Sequence, residues 1–206
     1  QTSLLAWAWE GDGNKLLNQY YQKELGYDIQ AWLTMPMGPE PFGWFPKEFN
    51  SLEELKSIKF RSPPGIPSES FKAIGMPVVS MPGSEIVPSA QRGVIDAAEW
   101  ISPGDDKLLG LSDVWKFYYL QGLHQALSIG DVYINKSWYD KLPANLQVVI
   151  DESMKAMVAD QTTMNVSINS QALKDLVVKE GVQLRETPDE YFAAYMKVVP
   201  EIMDLK

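Results

Sequence analysis

The chain contains no cysteine and only one histidine, His124, in 206 residues. Without thiols there is no disulfide, no thiolate nucleophile and no Cys-ligated zinc or iron–sulfur site. With one imidazole, a Ser-His-Asp triad has only His124 to build on, and an all-histidine metal site within one chain is excluded. Positive charge is also scarce: 18 Lys and Arg stand against 27 Asp and Glu, a formal net charge of −9. An acidic surface repels phosphate backbones, so no nucleic-acid partner is expected. No uncharged apolar run approaches the ~18–20 residues that cross a bilayer, and no direct lipid contact is expected. Gln1 to Leu5 has no basic n-region, so a secretory signal, if the protein is exported, has been removed or lies outside this sequence.

What remains reads as folded: 45% of residues are apolar, 22% are charged and seven are Trp, a balance unlike that of disordered chains. The length fits one large or two small domains. Leu5 to Trp9 reads as a short strand, residues 14–25 as a helix stopped by Gly26, and residues 28–34 as a strand. Four prolines in Met35 to Pro46 argue against a regular element there; this aromatic-rich stretch reads as a packed turn or a wall of a binding cleft. Ser51-Leu-Glu-Glu54 is a capping-box pattern. Strands are expected at 58–62, 77–81 and 94–101, with helices at 68–74 and 85–91 between them, which predicts a parallel, right-handed α/β unit. Residues 126–134 read as a strand, and 144–180 as a helix without Pro or Gly. At ~1.5 Å per residue it is long enough that a bend or break is expected. Gly181, a strand at 182–185 and a helix opening at Pro188 complete the chain. The aromatics Phe42, Trp44, Phe117, Tyr118 and Tyr119 read mainly as core.

Three spaced segments, Phe60-Arg-Ser-Pro-Pro-Gly65, Ser80-Met-Pro-Gly-Ser-Glu-Ile-Val-Pro88 and Gly93-Val-Ile-Asp-Ala-Ala-Glu-Trp100, stand in register with Gly43-Trp-Phe45, Tyr118-Tyr119, Ile134-Asn-Lys136 and Gly181-Val-Gln-Leu184. Together they resemble the solute-binding proteins of TRAP (tripartite ATP-independent periplasmic) transporters, in particular the branch that binds 2-oxo and 2-hydroxy monocarboxylates such as pyruvate and lactate through a cation. The resemblance runs over roughly residues 30–190. It implies a two-lobed α/β periplasmic-binding-protein fold of type II, here lacking much of the N-terminal lobe. On that basis residues 1–96 and 137–206 are expected to form the C-terminal lobe with the long helix. Residues 97–136 are expected to cross the hinge into an incomplete N-terminal lobe.

The resemblance also implies a site. Arg61 precedes a stiff Pro-Pro-Gly turn, and its planar fork suits a carboxylate; the matching family arginine binds the substrate carboxylate. Glu99 closes an apolar strand and, if buried, needs a partner. In the family the matching Glu ligates the cation, and the residue matching Trp100 adds its carbonyl and an apolar wall. Gln125 stands where the branch usually has a cation-ligating Glu, and Glu40 stands near a family Gln that serves cation and substrate. Tyr119 and His124 complete the expected substrate contacts, although His124 also reads as a structural histidine. Taken without the resemblance, these residues read more readily as a surface arginine, an edge carboxylate in water and a core tryptophan. Asp96 reads as an anchor for a helix N-terminus. Arg61, Glu99, Glu40 and a monocarboxylate sum to −2, which favours Ca²⁺ over Na⁺ in a dry cleft.

The expectation is therefore a periplasmic receptor, not an enzyme. It closes by hinge motion on a small carboxylate and docks on TRAP membrane subunits, and a homodimer through C-terminal helices is a further expectation from relatives. Two rivals remain open at this level: a glycosidase-like hydrolase using Glu40 and Glu99 as acid and base, and a ligand-sensing module for a signalling partner.

Overall fold

The structure is a computed structural model that describes residues 2–204. The chain forms two compact units. One consists of residues up to Gly38 together with Leu127–Ser167, the other of Pro39–Ala126 together with residues from Ile168 onward. These boundaries differ from the expected division into 1–96 with 137–206 and a 97–136 crossing segment. The physical reason is strand pairing: residues 29–37 bond along their whole length to residues 128–135, which removes the N-terminal stretch from the body that holds residues 39–96.

In the first unit, α1 (Thr2–Glu10) replaces the expected strand at Leu5 to Trp9. The alternation of Leu5, Trp7 and Trp9 imitated a period of two. The intervening alanines favour helix, and the helix buries Ala8 while Trp7 stays exposed. α2 (Gly13–Gln19) continues as a wider π-helical turn over Tyr20–Glu24. β1 (Ile29–Met37) pairs antiparallel with β7 (Ser128–Asn135), with a register shift between Leu33 and Met35. That irregularity lets β1 run through Pro36, past the expected end at residue 34, because a bulge tolerates the missing N–H.

The other edge of β1 is closed by amide side chains one helical turn apart on α2 and its extension. Asn14 Oδ1 accepts from Leu33 N–H at 2.8 Å. Asn18 accepts from Ala31 N–H and donates to Ala31 O, both at 2.8 Å. Gln22 donates to Ile29 O at 2.8 Å. The i, i+4, i+8 spacing rises about 6 Å per step, close to the about 6.6 Å between every second strand residue. The helix thus substitutes for a neighbouring strand. α7 (Lys136–Tyr139) is capped by Asn135, whose Oδ1 accepts from Trp138 N–H.

The second unit holds a six-stranded sheet in the order β4-β3-β5-β2-β6-β8. Its strands are β2 (Gly43–Phe45), β3 (Phe60–Arg61), β4 (Val78–Val79), β5 (Ala97–Ala98), β6 (Phe117–Tyr119) and β8 (Gln183–Arg185). β3 runs parallel to both β4 and β5, as the strand–helix–strand pattern predicts. The connecting helices are α4 (Ile66–Ala73) and α5 (Ile86–Gln91). β2 was not expected. It comes from the proline-rich stretch and lies antiparallel to β5 and β6, with Pro41 and Pro46 just outside its ends. Residues 40–45 are all buried.

Side chains alternate across this sheet as the two-residue period requires. Phe45, Phe60, Ala97 and Tyr119 join one aromatic core with Phe42, Phe49, Phe71 and Tyr191. Trp44, Ala98 and Tyr118 join another with Ile86, Ile95, Leu111 and Trp115. Half of the capping box is formed at α3 (Leu52–Leu55): Ser51 Oγ accepts from Glu54 N–H, while Glu54 Oε1 accepts from Asn50 N–H, one residue before the cap. Asp96 anchors a strand and not a helix N-terminus: its carboxylate accepts from Lys59 N–H at 2.9 Å, at the entry to β3. α6 (Pro103–Leu109) and α9 (Asp189–Asp204) are further helices of this unit.

α8 (Ala144–Val178) is continuous over 35 residues, without the break that its length suggested. It ends where Gly181 adopts φ +70° and Val182 N–H reaches back to Leu176 O, the left-handed stop that a glycine permits. No helix among the described residues is long and apolar enough to cross a membrane.

Candidate functional site

Five residues of the second unit converge at the end of the parallel strands, where open α/β sheets collect ligands. Arg61 ends β3, Glu99 directly follows β5, and Glu40 sits on the turn before β2. His124 and Gln125 follow β6 and run beside Glu40, whose N–H donates to Gln125 O at 3.0 Å. The close approach depends on Gly122: a Cβ there would lie 2.6 Å from Glu40 O and 3.1 Å from the His124 ring.

Arg61 Nη1 donates to Glu99 Oε1 at 2.7 Å and to Glu99 O at 3.0 Å, while Nε and Nη2 both donate to Met81 O. The guanidinium also lies 5.1 Å from the Trp100 ring centroid. Arg61 and Glu99 are 5% and 1% exposed at the side chain. The arginine does not, therefore, present an open fork: one Nη2 N–H is left once these bonds are made. Gln125 Nε2 donates to Glu40 Oε1 at 2.8 Å, so its amide serves here as a donor to the carboxylate.

His124 Nε2 stands 3.5 Å from Glu40 Oε2 and 3.7 Å from Glu99 Oε2, and its ring packs against Phe71. Burial works against protonating this imidazole, but the two carboxylates outweigh burial and raise its pKa. Burial, reinforced by the charge of Glu99, raises that of Glu40 against the pull of His124. Burial lowers that of Arg61 against the pull of Glu99 and Glu40. A protonated His124 adds a positive charge that the sequence-level sum of −2 leaves out.

The chemistry of this donor set fits a hard cation. Glu40 Oε2 and both His124 ring nitrogens are buried without an aligned hydrogen-bond partner among the described residues. Leaving such groups unmade is costly. One ligand atom each from Glu40, Glu99 and His124 lie within 4.8 Å of one another. The two carboxylate oxygens of this group are the hard-cation donors, and oxygens held about 2.3–2.6 Å from one Ca²⁺ fit within that spread.

Of the residues expected at the site, Arg61, Glu99, Glu40, His124 and Gln125 are thus brought together. Trp100 joins them through its ring. Tyr119 does not: it is fully buried in the aromatic core, stacked on Phe49, and its hydroxyl both accepts from Phe49 N–H and donates to Phe49 O. A side chain so committed has no face for a solute. Two supports went unread in the sequence. Gly83 leaves room for the Trp100 indole. Asp106, completely buried, accepts from Trp44 Nε1, from the Tyr118 hydroxyl and from Ile101 N–H, bracing the segment after Trp100. The acidic run Asp105-Asp106 gave no sign which aspartate turns inward.

The chain is similar to known proteins along almost its whole length. The sequence profile of DctP, bacterial extracellular solute-binding protein family 7, matches residues 2–205. A monocarboxylate 2-oxoacid-binding periplasmic protein of Nostoc sp. is 31% identical over 201 residues, which is 97% of this chain and 53% of that protein. Two solved TRAP periplasmic solute-binding proteins are each 28% identical over 98% of this chain. One, from Colwellia psychrerythraea with bound calcium and pyruvate, has a TM-score of 0.85, and this chain covers 61% of it. The other, from Pseudoalteromonas atlantica with bound sodium and pyruvate, has a TM-score of 0.83 and 60% coverage. The chain therefore spans little more than half the length of the proteins it matches. The family's members are solute receptors rather than enzymes. A profile match along almost the whole chain, joined to the shared fold, makes this protein a member of the periplasmic TRAP solute-binding proteins of family 7.

Proposed function

We propose that the chain captures a small 2-oxo or 2-hydroxy carboxylate, pyruvate or lactate in kind, with the help of a hard cation. The observation that carries this reading is the buried group of Arg61, Glu99, Glu40 and His124, two carboxylates and two basic groups with polar atoms still unpartnered. Glu40 and Glu99 would hold the cation through their carboxylates, with Gln125 beside them, and His124 would stand next to them as a hydrogen-bond donor to carboxylate or solute. The two carboxylates favour Ca²⁺, with Na⁺ as the alternative when His124 is protonated and the sum with a monocarboxylate falls from −2 to −1. When bound, the cation supplies positive charge for the solute's keto or hydroxyl oxygen. Arg61 holds the solute carboxylate, and the Trp100 ring gives the guanidinium an apolar face. No covalent step is involved. Relatives binding pyruvate with calcium or sodium support the ligand class. In the same reading the protein hands its solute to TRAP membrane subunits. Exposed apolar side chains on α8, among them Val148, Val149 and Val166, support pairing with a second copy.

Calorimetry with pyruvate, lactate and larger 2-oxo acids, each with and without Ca²⁺, tests this. Small 2-oxo acids are expected to bind in the presence of the cation and to remain chemically unchanged. Absence of heat for every 2-oxo acid with either Ca²⁺ or Na⁺ would overturn it.

A further inference from the structure

Arg61 is bound to the residue expected to hold the cation. Its four hydrogen bonds go to three acceptors: Met81 O, Glu99 O and the Glu99 carboxylate. The two carbonyls belong to backbone on either side of the sheet's end. Only the Glu99 carboxylate has another call on it, because its second oxygen faces His124 and it belongs to the one cluster of carboxylates and imidazole that could hold an ion among the described residues. The 2.7 Å bond from Nη1 to Oε1 is thus the one Arg61 can give up without disturbing the backbone.

We propose that the Arg61–Glu99 pair is a latch that couples cation capture to anion capture. Arg61 and the cation compete for the Glu99 carboxylate, and the Nη1 N–H released from Glu99 is the one that turns to the solute carboxylate. The inference rests on the receptor reading given above. A buried guanidinium N–H without an acceptor is unfavourable, as is a buried carboxylate without a counter-charge. Displacement of Arg61 from Glu99 therefore creates a demand for an anion, and withdrawal of Arg61 toward an anion creates a demand for a cation. Each ligand then raises the affinity for the other by the same factor. A neutral solute breaks the latch without replacing it, and is rejected.

Calorimetric titration of Ca²⁺ alone, and of Ca²⁺ in saturating pyruvate, into the wild type and Arg61→Lys tests the latch. In the wild type, pyruvate is expected to lower the Ca²⁺ Kd at least ~5-fold, the low end of measured site couplings. Arg61→Lys keeps the charge and loses the fork. It is expected to bind Ca²⁺ alone more tightly than the wild type, with the coupling to pyruvate reduced to less than ~2-fold on the same scale. Equal Ca²⁺ affinity and equal coupling in both proteins would overturn the latch and leave the receptor reading standing. No binding of Ca²⁺ or Na⁺ to the wild type, with or without pyruvate, would overturn the receptor reading and the latch with it. ¹⁵N NMR of the Arg61 guanidinium in the wild type needs no variant to fold: Ca²⁺ is expected to shift its signals and speed their exchange. Unchanged Arg61 signals in a Ca²⁺-saturated protein would refute the latch alone.

Discussion

Gly83 lies so close beneath the Trp100 indole that a Cβ at position 83 would come within 2.3 Å of the ring's Cη2. The same ring touches the Arg61 guanidinium, 5.1 Å from its centroid. A residue with no side chain therefore sets the position of the aromatic wall against which the site's arginine rests.

Gly83→Ala is expected to push the Trp100 ring off Arg61. Overpacking of this kind costs about 1–3 kcal/mol. Calorimetry should show weaker pyruvate binding, and intrinsic fluorescence a change in the Trp100 environment. An unaltered Kd would mean that the ring can retreat without consequence.

Removing Arg61 leaves Glu99 as an uncompensated buried charge. Arg61→Ala should lower the free energy of unfolding by about 3–5 kcal/mol, as breaking a buried pair does. Arg61→Lys should fold, and should weaken pyruvate binding by at least ~1.5 kcal/mol, the lower end for a charged hydrogen bond. Urea denaturation and calorimetry measure the two effects separately.

Burial raises the Asp106 carboxyl from its usual value to about 7, against the pull of the hydrogen bonds from Trp44, Tyr118 and Ile101 N–H. A carboxyl whose folded pKa lies above its unfolded value contributes stability that is fully present below the unfolded value. That stability is lost as pH rises through the folded one. The wild type should therefore lose stability from this group between the ordinary aspartate pKa and neutrality. Asp106→Asn should remove that part of the slope, so that the difference between the two proteins varies with pH only inside this window. Urea midpoints across the range, compared pairwise, measure it; parallel curves would contradict the assignment.

The cation makes a further test. After treatment with EDTA, pyruvate binding is expected to be lost, and to return at least tenfold more strongly with Ca²⁺ than with Na⁺ at equal ionic strength, about 1.4 kcal/mol. Equal recovery with Na⁺ would show that the two carboxylates do not demand a divalent ion.

Asn18 satisfies both backbone groups of Ala31, which is fully buried. Asn18→Ala should cost at least about 2 kcal/mol, because a buried donor and acceptor both lose their partner. It should also open the β1 edge to other chains. Thermal denaturation and light scattering report the two consequences; a fully soluble variant of wild-type stability would count against the role given to the α2 amides.

Much of this was legible in the residues. The β3–α4–β4–α5–β5 unit followed from hydrophobic runs punctuated by glycine and proline. The helix cap at Ser51, the glycine stop at Gly181 and the aromatic core around Phe42, Trp44 and Tyr118 followed from local rules that depend on near neighbours. Where the reading failed, the missing information was long-range. Leu5 to Trp9 had the alternation of a strand, but α1 met no strand partner. Tyr119 reads mainly as core, and its added place among the solute contacts fails because Phe49, seventy positions away in sequence, holds its hydroxyl.

The amino-acid sequence by itself determined the chemical inventory: no thiol, one imidazole, an acidic balance, an arginine, a glutamate and a tryptophan at family spacing, and a second glutamate, Glu40, near a family glutamine. It also determined the elements whose signals lie within a turn or two of chain. Tertiary structure alone decided what those groups do to one another. Strand pairing sets Arg61 against Glu99, thirty-eight residues away, and Glu40 against Gln125, eighty-five residues away. The reason is physical: burial and charge pairing depend on which surfaces meet, and that is a property of the closed sheet and not of any local segment.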